Sequence, residues 1–352
     1  MHLFHRPTWS PNHWSHLGIS SRSWPPPKHG AKNLDPTPIP RSEHDIDLNN
    51  PGRFVQNLQH DWPDVDAFSL SQLIDNYGDQ ELSVGIDDDT GDDVTLSLSK
   101  YLDYAYRDAD GDDAPLYVFD DWILGNDADC PLRNAYQIPP CFKHDYMAEI
   151  SMLSGERNGN EEEEEIDRPP FCWLLIGAAR SGTALHIDPT STAAWNTLVS
   201  GKKRWFIFPP SDSNSDNDMS FGQGENTVST ECIKKGGKLD DIDDGSCTDS
   251  VSHWIHESYK CMSSPPTTAN SKRMFDFVQL PGETVYIPCG WRHAVVNLEL
   301  SVAVTHNFVG PHNVVQALRS MHRSDPDIAS RWEDQLREKG YYVDISDTLN
   351  SS

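Results

Sequence analysis

The second half of the sequence is dominated by short apolar segments of strand length, and this feature limits the possible folds most. The segments are separated by Gly or Pro turns such as "SGK", "PGE" and "PCG", and no helical period intervenes before the C-terminal tail. Many short strands without helices between them predict a β sandwich or jelly roll. In chain order the segments are "FCWLLIGAA", "ALHID", "AAWNTLV", "RWFIFPP", "MFDFVQL", "TVYIP", "AVVNLEL" and "SVAVTHNF". We therefore predict a mainly β fold with added helices.

The remaining sequence divides by composition around this β region. Pro-rich clusters without a sustained period predict a disordered arm over residues 1–53, and residues 54–167 form an N-terminal α/β elaboration ending in the acidic linker "NGNEEEEEIDRPP". The jelly roll is predicted over 168–310, with a long acidic insertion at about 211–272 in which only "SVSHWIHESY" has an ordered pattern. Residues 311–352 form a helical tail.

Helix signals flank the β region on both sides. "SLSQLIDNYG" has Ser69 as N-cap and Gly78 as a stop, and "LSLSKYLDYAYRD" predicts a second helix. In the tail, "DPDIASRWEDQLREKG" has Asp325 as N-cap, Pro326 at the first helical position and Gly340 as terminator. This amphipathic helix could pair with a second copy or pack on its own barrel, so the oligomeric state stays open.

Charge and cysteine content limit the partners and the compartment. The formal net charge is −27, which argues against nucleic-acid binding and suits a basic partner, although acidic runs also serve solubility alone. Seven cysteines without a C-x-x-C pair argue against a disulfide framework and a structural zinc. No membrane span or secretory h-region is visible, so we expect an intracellular protein, nuclear or cytoplasmic. Whether residues 1–53 hold a targeting signal is left open.

The triplet His186-Ile187-Asp188 is the strongest candidate for metal chemistry. Alternate residues of a strand share a face, so both side chains can contact one ion. A non-haem iron site needs two imidazoles and one carboxylate on the same side of the ion, with the other positions open. His293, between two strand-like segments, is the best candidate for the second imidazole.

Lys203 begins an otherwise apolar strand, and Thr305 lies late in another. A lysine and a hydroxyl inside a barrel suit a carboxylate ligand. The alternative is a strand-end lysine that extends to water. Lys202 and Arg204 beside it are expected to be ordinary edge charges.

Two blocks, "WLLIGAARSGTALHIDPTSTAAWNTLVSGKKRWFIFPP" and "LPGETVYIPCGWRHAVVNLELSVAVTHNF", resemble the Jumonji-C family of iron(II) and 2-oxoglutarate oxygenases. The similarity is greatest to the branch of lysyl hydroxylases also described as arginine demethylases, formerly called the phosphatidylserine receptor. "PLYVFD" and "SHWIHESY" resemble the same branch. The resemblance implies a cupin-like jelly roll, that is, a double-stranded β-helix.

The resemblance also implies roles for matching residues. His186, Asp188 and His293 would bind Fe(II). Lys203, Thr305 and Tyr117 would bind the distal carboxylate of 2-oxoglutarate, and Asn196 and Thr183 would line its pocket. With O2 as co-reactant, the implied activity is hydroxylation of a protein or peptide side chain, with lysine first. Demethylation of arginine or lysine, on histones or other proteins, is the alternative, and an inactive binding scaffold is the non-enzymatic one.

Three departures from the family pattern matter. Arg292 lies beside His293, and alternation predicts that it points away from the metal. His306 follows Thr305 where the branch has glutamine, and it is either a fourth ligand or, more simply, faces away. The acidic insertion could contribute a surface for a basic substrate or be an unselected loop.

Overall fold

The computed structural model describes most of the chain. The described residues are 18–19, 21–27, 31–86, 93–121, 123–124, 130–149, 170–210, 250–259 and 274–341. The predicted acidic linker, except Pro170, and most of the predicted insertion lie outside these ranges.

The described residues contain thirteen strands. They are β1 Thr37–Pro38, β2 Gly52–Val55, β3 Glu81–Ile86, β4 Asp93–Ser97, β5 Tyr117–Asp120, β6 Cys172–Gly177, β7 Gly182–His186, β8 Ala193–Ser200, β9 Lys203–Phe208, β10 Phe275–Gln279, β11 Glu283–Ile287, β12 Arg292–Asn297 and β13 Ser301–Phe308. A seven-stranded sheet has the order β1-β2-β11-β8-β13-β6-β5, and a four-stranded sheet has the order β10-β9-β12-β7. A separate β3-β4 hairpin belongs to the N-terminal elaboration.

The two larger sheets form the predicted jelly roll, because strands far apart in sequence pair side by side. The central strand β13 pairs with both β6 and β8, antiparallel in each case. Alternation in β6 shows how the sheet separates two cores. Leu174 and Ile176 pack into the large apolar cluster that includes the N-terminal elaboration, whereas Trp173 and Leu175 face the space between the sheets.

The α-helices of the described residues lie before and after the jelly roll, except for one between β9 and β10. They are α1 Leu58–Asp61, α2 Leu70–Tyr77, α3 Leu98–Arg107, α4 Pro131–Ala135, α5 Val251–His253, which continues as a π-helical turn Trp254–Tyr259, α6 Val314–Ser324 and α7 Pro326–Glu338. The helices predicted from "SLSQLIDNYG" and "DPDIASRWEDQLREKG" are confirmed, since the Ser69 side chain accepts from the Gln72 N–H and Asp325 accepts from Ile328. The segment "LSLSKYLDYAYRD" is helical only from Leu98, because its first residues pair in β4.

The prediction of a disordered arm is wrong for residues 31–53. β1 pairs with β2, which extends the large sheet through β11, and Lys32 bridges to Phe275 in the other sheet. Arg53 also forms a buried bidentate ion pair with Glu283, with both N···O distances 2.9 Å. No hydrophobic period is visible in this segment because it is ordered through backbone hydrogen bonds to sheet edges, which need no apolar alternation.

The outer face of the four-stranded sheet is covered by residues 250–259, which belong to the predicted insertion. Trp254 and Tyr259 are buried and pack against Phe206, as the pattern of "SVSHWIHESY" suggested. On the same face Arg204 is 7% exposed and binds Asp276 through two 2.8 Å contacts. The expectation that Arg204 is an edge charge is therefore wrong, because its strand lies inside the sheet and a helical cover shields it.

The C-terminal tail forms two helices, of which sequence patterns predicted one. α7 packs on α6, with Trp332 and Leu336 against an apolar cluster that also contains Leu318, Met321 and Tyr146. The apolar face of α7 is thus covered within its own chain. None of the helices in the described ranges is long and apolar enough to cross a membrane.

Candidate active site

His186, Asp188 and His293 converge at one end of the space between the two sheets. His186 ends β7 and is the direct register partner of His293 in β12, which places the two imidazoles side by side with their ring centroids 4.2 Å apart. The Nε2 atoms of both rings lie 3.9 Å from Asp188 Oδ1. One ligand atom from each residue can be chosen so that all lie within 4.8 Å of one another, and the donor set is that of a non-haem iron site.

The two imidazoles are oriented by backbone carbonyls. His186 Nδ1 lies 2.8 Å from the Ala184 carbonyl oxygen, and His293 Nδ1 lies 3.1 Å from that of Trp291. A carbonyl oxygen can only accept a hydrogen bond, so each Nδ1 carries the proton and each Nε2 presents a lone pair. Burial, and the neighbouring His186, lower the pKa of His293 to about 4, which keeps this ring in the neutral form that binds metals.

Asp188 follows the end of β7 instead of lying within the strand. The prediction from strand alternation is therefore incomplete, although the backbone at Asp188 stays extended (φ −60°, ψ 139°) and the side chain still faces the same side as His186. Its Oδ2 is buried without a hydrogen-bond partner. A buried carboxylate oxygen without a donor is costly, and a bound cation would satisfy it.

Lys203 lies deeper between the sheets and is 1% exposed. Its Nζ donates to the Tyr117 hydroxyl at 3.3 Å, and no ion pair with a carboxylate is found for it among the described residues. Burial lowers the pKa of Lys203 to about 7. A buried amine with one weak partner suits an incoming anion, and the alternative of a strand-end lysine reaching water is wrong.

The other predicted cosubstrate residues surround Lys203. Asn196, on β8, has a buried Oδ1 without a partner, and Thr183 on β7 is 9% exposed. Thr305 donates its hydroxyl proton to the Trp195 carbonyl at 2.8 Å, so it would have to turn in order to donate to a carboxylate.

The structure brings all eight predicted site residues to one pocket between the sheets. Sequence reasoning missed most of the apolar residues that line the pocket. Strand alternation could have identified them, since Trp173 and Leu175 lie two positions apart in β6 and Trp205 lies two positions after Lys203 in β9. The lining includes Tyr117, Phe119, Trp173, Leu175, Thr183, His186, Asp188, Asn196, Lys203, Trp205, Ile287, His293, Val295, Thr305 and Asn307.

His306 faces away from the pocket and is not a fourth ligand. Its ring stacks on Trp195 at 4.5 Å, and its Nε2 lies 2.7 Å from the Tyr136 hydroxyl. Arg292 is not among the residues that line the pocket, in agreement with the alternation argument.

Comparison with known proteins agrees with this geometry. A family model described as "JmjC domain, hydroxylase" matches residues 173–308. The chain is 30% identical over 328 residues, 92% of its length, to the bifunctional arginine demethylase and lysyl-hydroxylase psr-1 of Caenorhabditis briggsae, of which it covers 73%. It is 31% identical over 74% of its length to lysine-specific demethylase JMJ21 of Arabidopsis thaliana, covering 23% of that protein. It is 23% identical over 64% of its length to the human 2-oxoglutarate and iron-dependent oxygenase JMJD4, covering 45% of it.

Proposed function

Because the chain belongs to the JmjC family of iron- and 2-oxoglutarate-dependent oxygenases, we propose that it hydroxylates lysine side chains of proteins. The observation that carries the proposal is the convergence of His186, Asp188 and His293 beside a buried lysine that has no carboxylate partner among the described residues. An inactive scaffold would not need to keep this costly set of buried polar groups.

His186, Asp188 and His293 would hold Fe(II). The two imidazoles present neutral Nε2 atoms, and the Asp188 carboxylate supplies negative charge and an unsatisfied buried oxygen. All three residues approach from one side of the pocket, which leaves other coordination positions for exchangeable ligands. Among the residues that the structure describes, no further protein ligand competes for these positions, since His306 points into a different core.

Lys203 and Tyr117 would bind the distal carboxylate of 2-oxoglutarate, with Asn196, Thr183 and Thr305 along the pocket wall. When bound, the iron and its cosubstrate supply oxidation of a C–H bond by O2, with 2-oxoglutarate converted to succinate and CO2. The protein's contribution is to orient the cosubstrate and to exclude water through the apolar walls formed by Trp173, Trp205 and Val295.

The apolar lining favours the alkyl part of a substrate side chain near the metal site. Apart from Asp188, no carboxylate lines the pocket among the described residues, so the ammonium group of a lysine would be recognised outside it. The net charge of −27 supports a basic protein or peptide as substrate. Demethylation is the second candidate, because two of the relatives are named as demethylases and oxidation of an N-methyl carbon releases formaldehyde.

Turnover of the cosubstrate tests the oxygenase assignment. Purified protein with Fe(II) should convert 2-oxoglutarate to succinate in the presence of a basic peptide, and His186→Ala should abolish the conversion. His60→Ala removes an exposed histidine and serves as the matched control. Equal succinate yields from the His186→Ala variant and the wild type would contradict the iron assignment.

Mass spectrometry of the peptides separates the two activities. A gain of one oxygen on a lysine supports hydroxylation, and loss of a methyl group from a methylated arginine or lysine supports demethylation. Modification of methylated peptides alone would replace the first candidate by the second.

A further inference from the structure

The chain turns sharply directly after Asp188, and the backbone of this turn is strained. Asp188 precedes a 3₁₀ turn, Pro189–Ser191, in which Thr190 (φ 54°, ψ 26°) and Ser191 (φ 51°) both have left-handed conformations. Residues with a Cβ rarely adopt this conformation, and a β-branched residue such as Thr190 keeps it only where surrounding contacts restrain it. The position of the Asp188 carboxylate therefore depends on the contacts that restrain the turn.

The side chain of Asn313 reaches this turn from the start of the C-terminal tail. It is 1% exposed, and its Nδ2 donates to the Ser191 carbonyl oxygen at 3.0 Å, across 122 positions of sequence. Its Oδ1 accepts the Gly310 N–H at 2.8 Å, which identifies the other end of the amide as the donor. The amide thus connects the turn after Asp188 to the segment that leads into α6.

Asn313 does not use this side chain for the helix that it begins. It is the N-cap residue of α6, a position at which asparagine is favoured because its side chain can accept from a backbone N–H of the first turn. In this structure the Asn313 side chain makes no such capping bond. The amide therefore restrains the turn at Ser191 and leaves the end of α6 without a side-chain cap.

The backbone of Asn313 is itself held firmly, and α6 lies against the turn. The Asn313 carbonyl accepts the Ala317 N–H at 2.9 Å, and the Asn313 N–H donates to the Gly310 carbonyl at 3.2 Å. Val314 and Ala317 are buried in the apolar cluster that α6 shares with α7. Since its own backbone is fixed by these contacts, Asn313 can restrain the Ser191 carbonyl.

The other end of the turn has separate restraints. The N–H and the hydroxyl of Thr192 both donate to the Pro189 carbonyl, at 3.1 Å and 2.9 Å. Asn307, in β13, donates to the same hydroxyl at 2.9 Å. These bonds restrain the turn at Pro189, whereas the bond from Asn313 restrains it at Ser191.

Of the three residues that would bind the metal, Asp188 depends most on this turn. His186 and His293 lie in paired strands, whereas Asp188 follows the end of β7 and its Oδ2 has no hydrogen-bond partner. We propose that Asn313 is a positioning residue for the metal site: its hydrogen bond to the Ser191 carbonyl keeps the turn left-handed and holds the Asp188 carboxylate beside the two imidazoles. This inference rests on the proposed function, which requires a metal at this site.

Calorimetric titration of the full-length protein with Mn(II), and separately with Ni(II), tests the proposal without turnover. Mn(II) prefers carboxylate ligands, whereas imidazole suits Ni(II). Asn313→Ala should weaken Mn(II) binding about tenfold, because the Asp188 carboxylate is no longer held in place. Ni(II) binding should weaken about twofold or less, because the two imidazoles keep their positions in the strands. A general loss of structure would weaken the binding of both ions alike.

Asn313→Asp is the near-isosteric variant, and it covers the case in which the alanine variant does not fold. It keeps an acceptor for the Gly310 N–H and places negative charge at the N-terminus of α6, which favours the helix. A carboxylate cannot donate to the Ser191 carbonyl. The aspartate variant should therefore show the same selective loss of Mn(II) affinity.

Removal of the strain itself provides a further test. Thr190→Gly takes away the side chain that disfavours a left-handed backbone, so the turn needs less restraint. In this background Asn313→Ala should weaken Mn(II) binding about threefold or less. Gln56→Ala is the matched control, because it removes a buried amide that bonds Thr197 and Thr284 outside the pocket. It should leave the affinities for both ions unchanged.

The outcomes separate this inference from the proposed function. If the wild type binds neither ion, both are overturned. If the wild type binds them but Asn313→Ala leaves Mn(II) affinity unchanged, or weakens Mn(II) and Ni(II) binding equally, only the positioning role is overturned. Wild-type Mn(II) affinity in Asn313→Asp, or an equal loss from Asn313→Ala with and without Thr190→Gly, would also overturn it.

Discussion

Two neighbouring buried cations lie on opposite faces of the four-stranded sheet and differ in their bonding partners. On the outer face Arg204 forms a bidentate pair with Asp276, which also accepts a 2.6 Å hydrogen bond from Tyr259. On the inner face Lys203 is also buried, but its hydrogen bond is a 3.3 Å contact with the Tyr117 hydroxyl. Strand alternation directs consecutive side chains to opposite faces, so the two cations are separated by the sheet.

The Arg204 charge stabilises the fold through its carboxylate partner, whereas the Lys203 charge is available to bind a ligand. Arg204 has the partner that compensates for its lost hydration. For Lys203 no carboxylate partner is found among the described residues, and burial lowers its pKa to about 7. Lys202, one residue earlier, is a third case: it lies near the surface and pairs with Glu299 at 2.5 Å. The three consecutive cations allow the comparison to be tested within one short segment of the chain.

The largest effect is expected for Lys203→Met. Loss of the buried cation should weaken 2-oxoglutarate binding on the order of a thousandfold and abolish turnover. The free energy of unfolding should be unchanged or rise by about 1 to 4 kcal/mol, because a buried charge is replaced by an apolar side chain. Chemical denaturation and calorimetric titration measure the two quantities, and a destabilised variant with normal affinity would refute the comparison.

Asp276→Ala should show the reverse pattern. Removing the carboxylate leaves the Arg204 guanidinium buried and unpaired, which should lower the free energy of unfolding by at least about 3 kcal/mol. In the folded fraction, affinity for 2-oxoglutarate should stay normal. A large loss of affinity at unchanged stability would show that the outer face contributes to the site.

The pH dependence of cosubstrate binding reports the state of Lys203. In the free protein the amine loses its proton as the pH rises through about 7, so the dissociation constant of 2-oxoglutarate should rise up to about tenfold per pH unit above that value. Arginine keeps its charge, so Lys203→Arg should give a flatter profile over about pH 6.5 to 8.5, whatever its absolute affinity. Parallel profiles for the two proteins would contradict the assignment.

Lys202→Met should have the smallest effect. Both partners of the Lys202–Glu299 pair are exposed to solvent, so the free energy of unfolding should change by less than about 1 kcal/mol. Affinity and turnover should match the wild type. A strong loss of activity would mean that Lys202, not Lys203, binds the carboxylate.

Much of the site was predictable because few side-chain types can bind a metal ion or a carboxylate. His186 and Asp188 were predicted from a His-x-Asp triplet at the end of one strand. His293 was predicted from its place near the start of another strand, and Lys203 from its place at the start of an apolar strand. All four line the same pocket. The β region and the caps of α2 and α7 were also visible, since turn and cap residues act locally.

The parts that sequence reasoning missed depend on contacts distant in the chain. Residues 31–53 looked disordered because their order comes from pairing with sheet edges, and Arg204 looked exposed because Asp276 lies 72 positions away.

The sequence alone determined the strand pattern of the jelly roll and the chemical types of the residues that could bind a metal and a carboxylate. These follow from periodicity and from which side chains can bind a cation or a carboxylate. Only the tertiary structure decided that Lys203 lacks an anionic partner among the described residues while Arg204 has one. Partnership between buried polar groups depends on which strands pair and in which register, and that is a property of the assembled sheets.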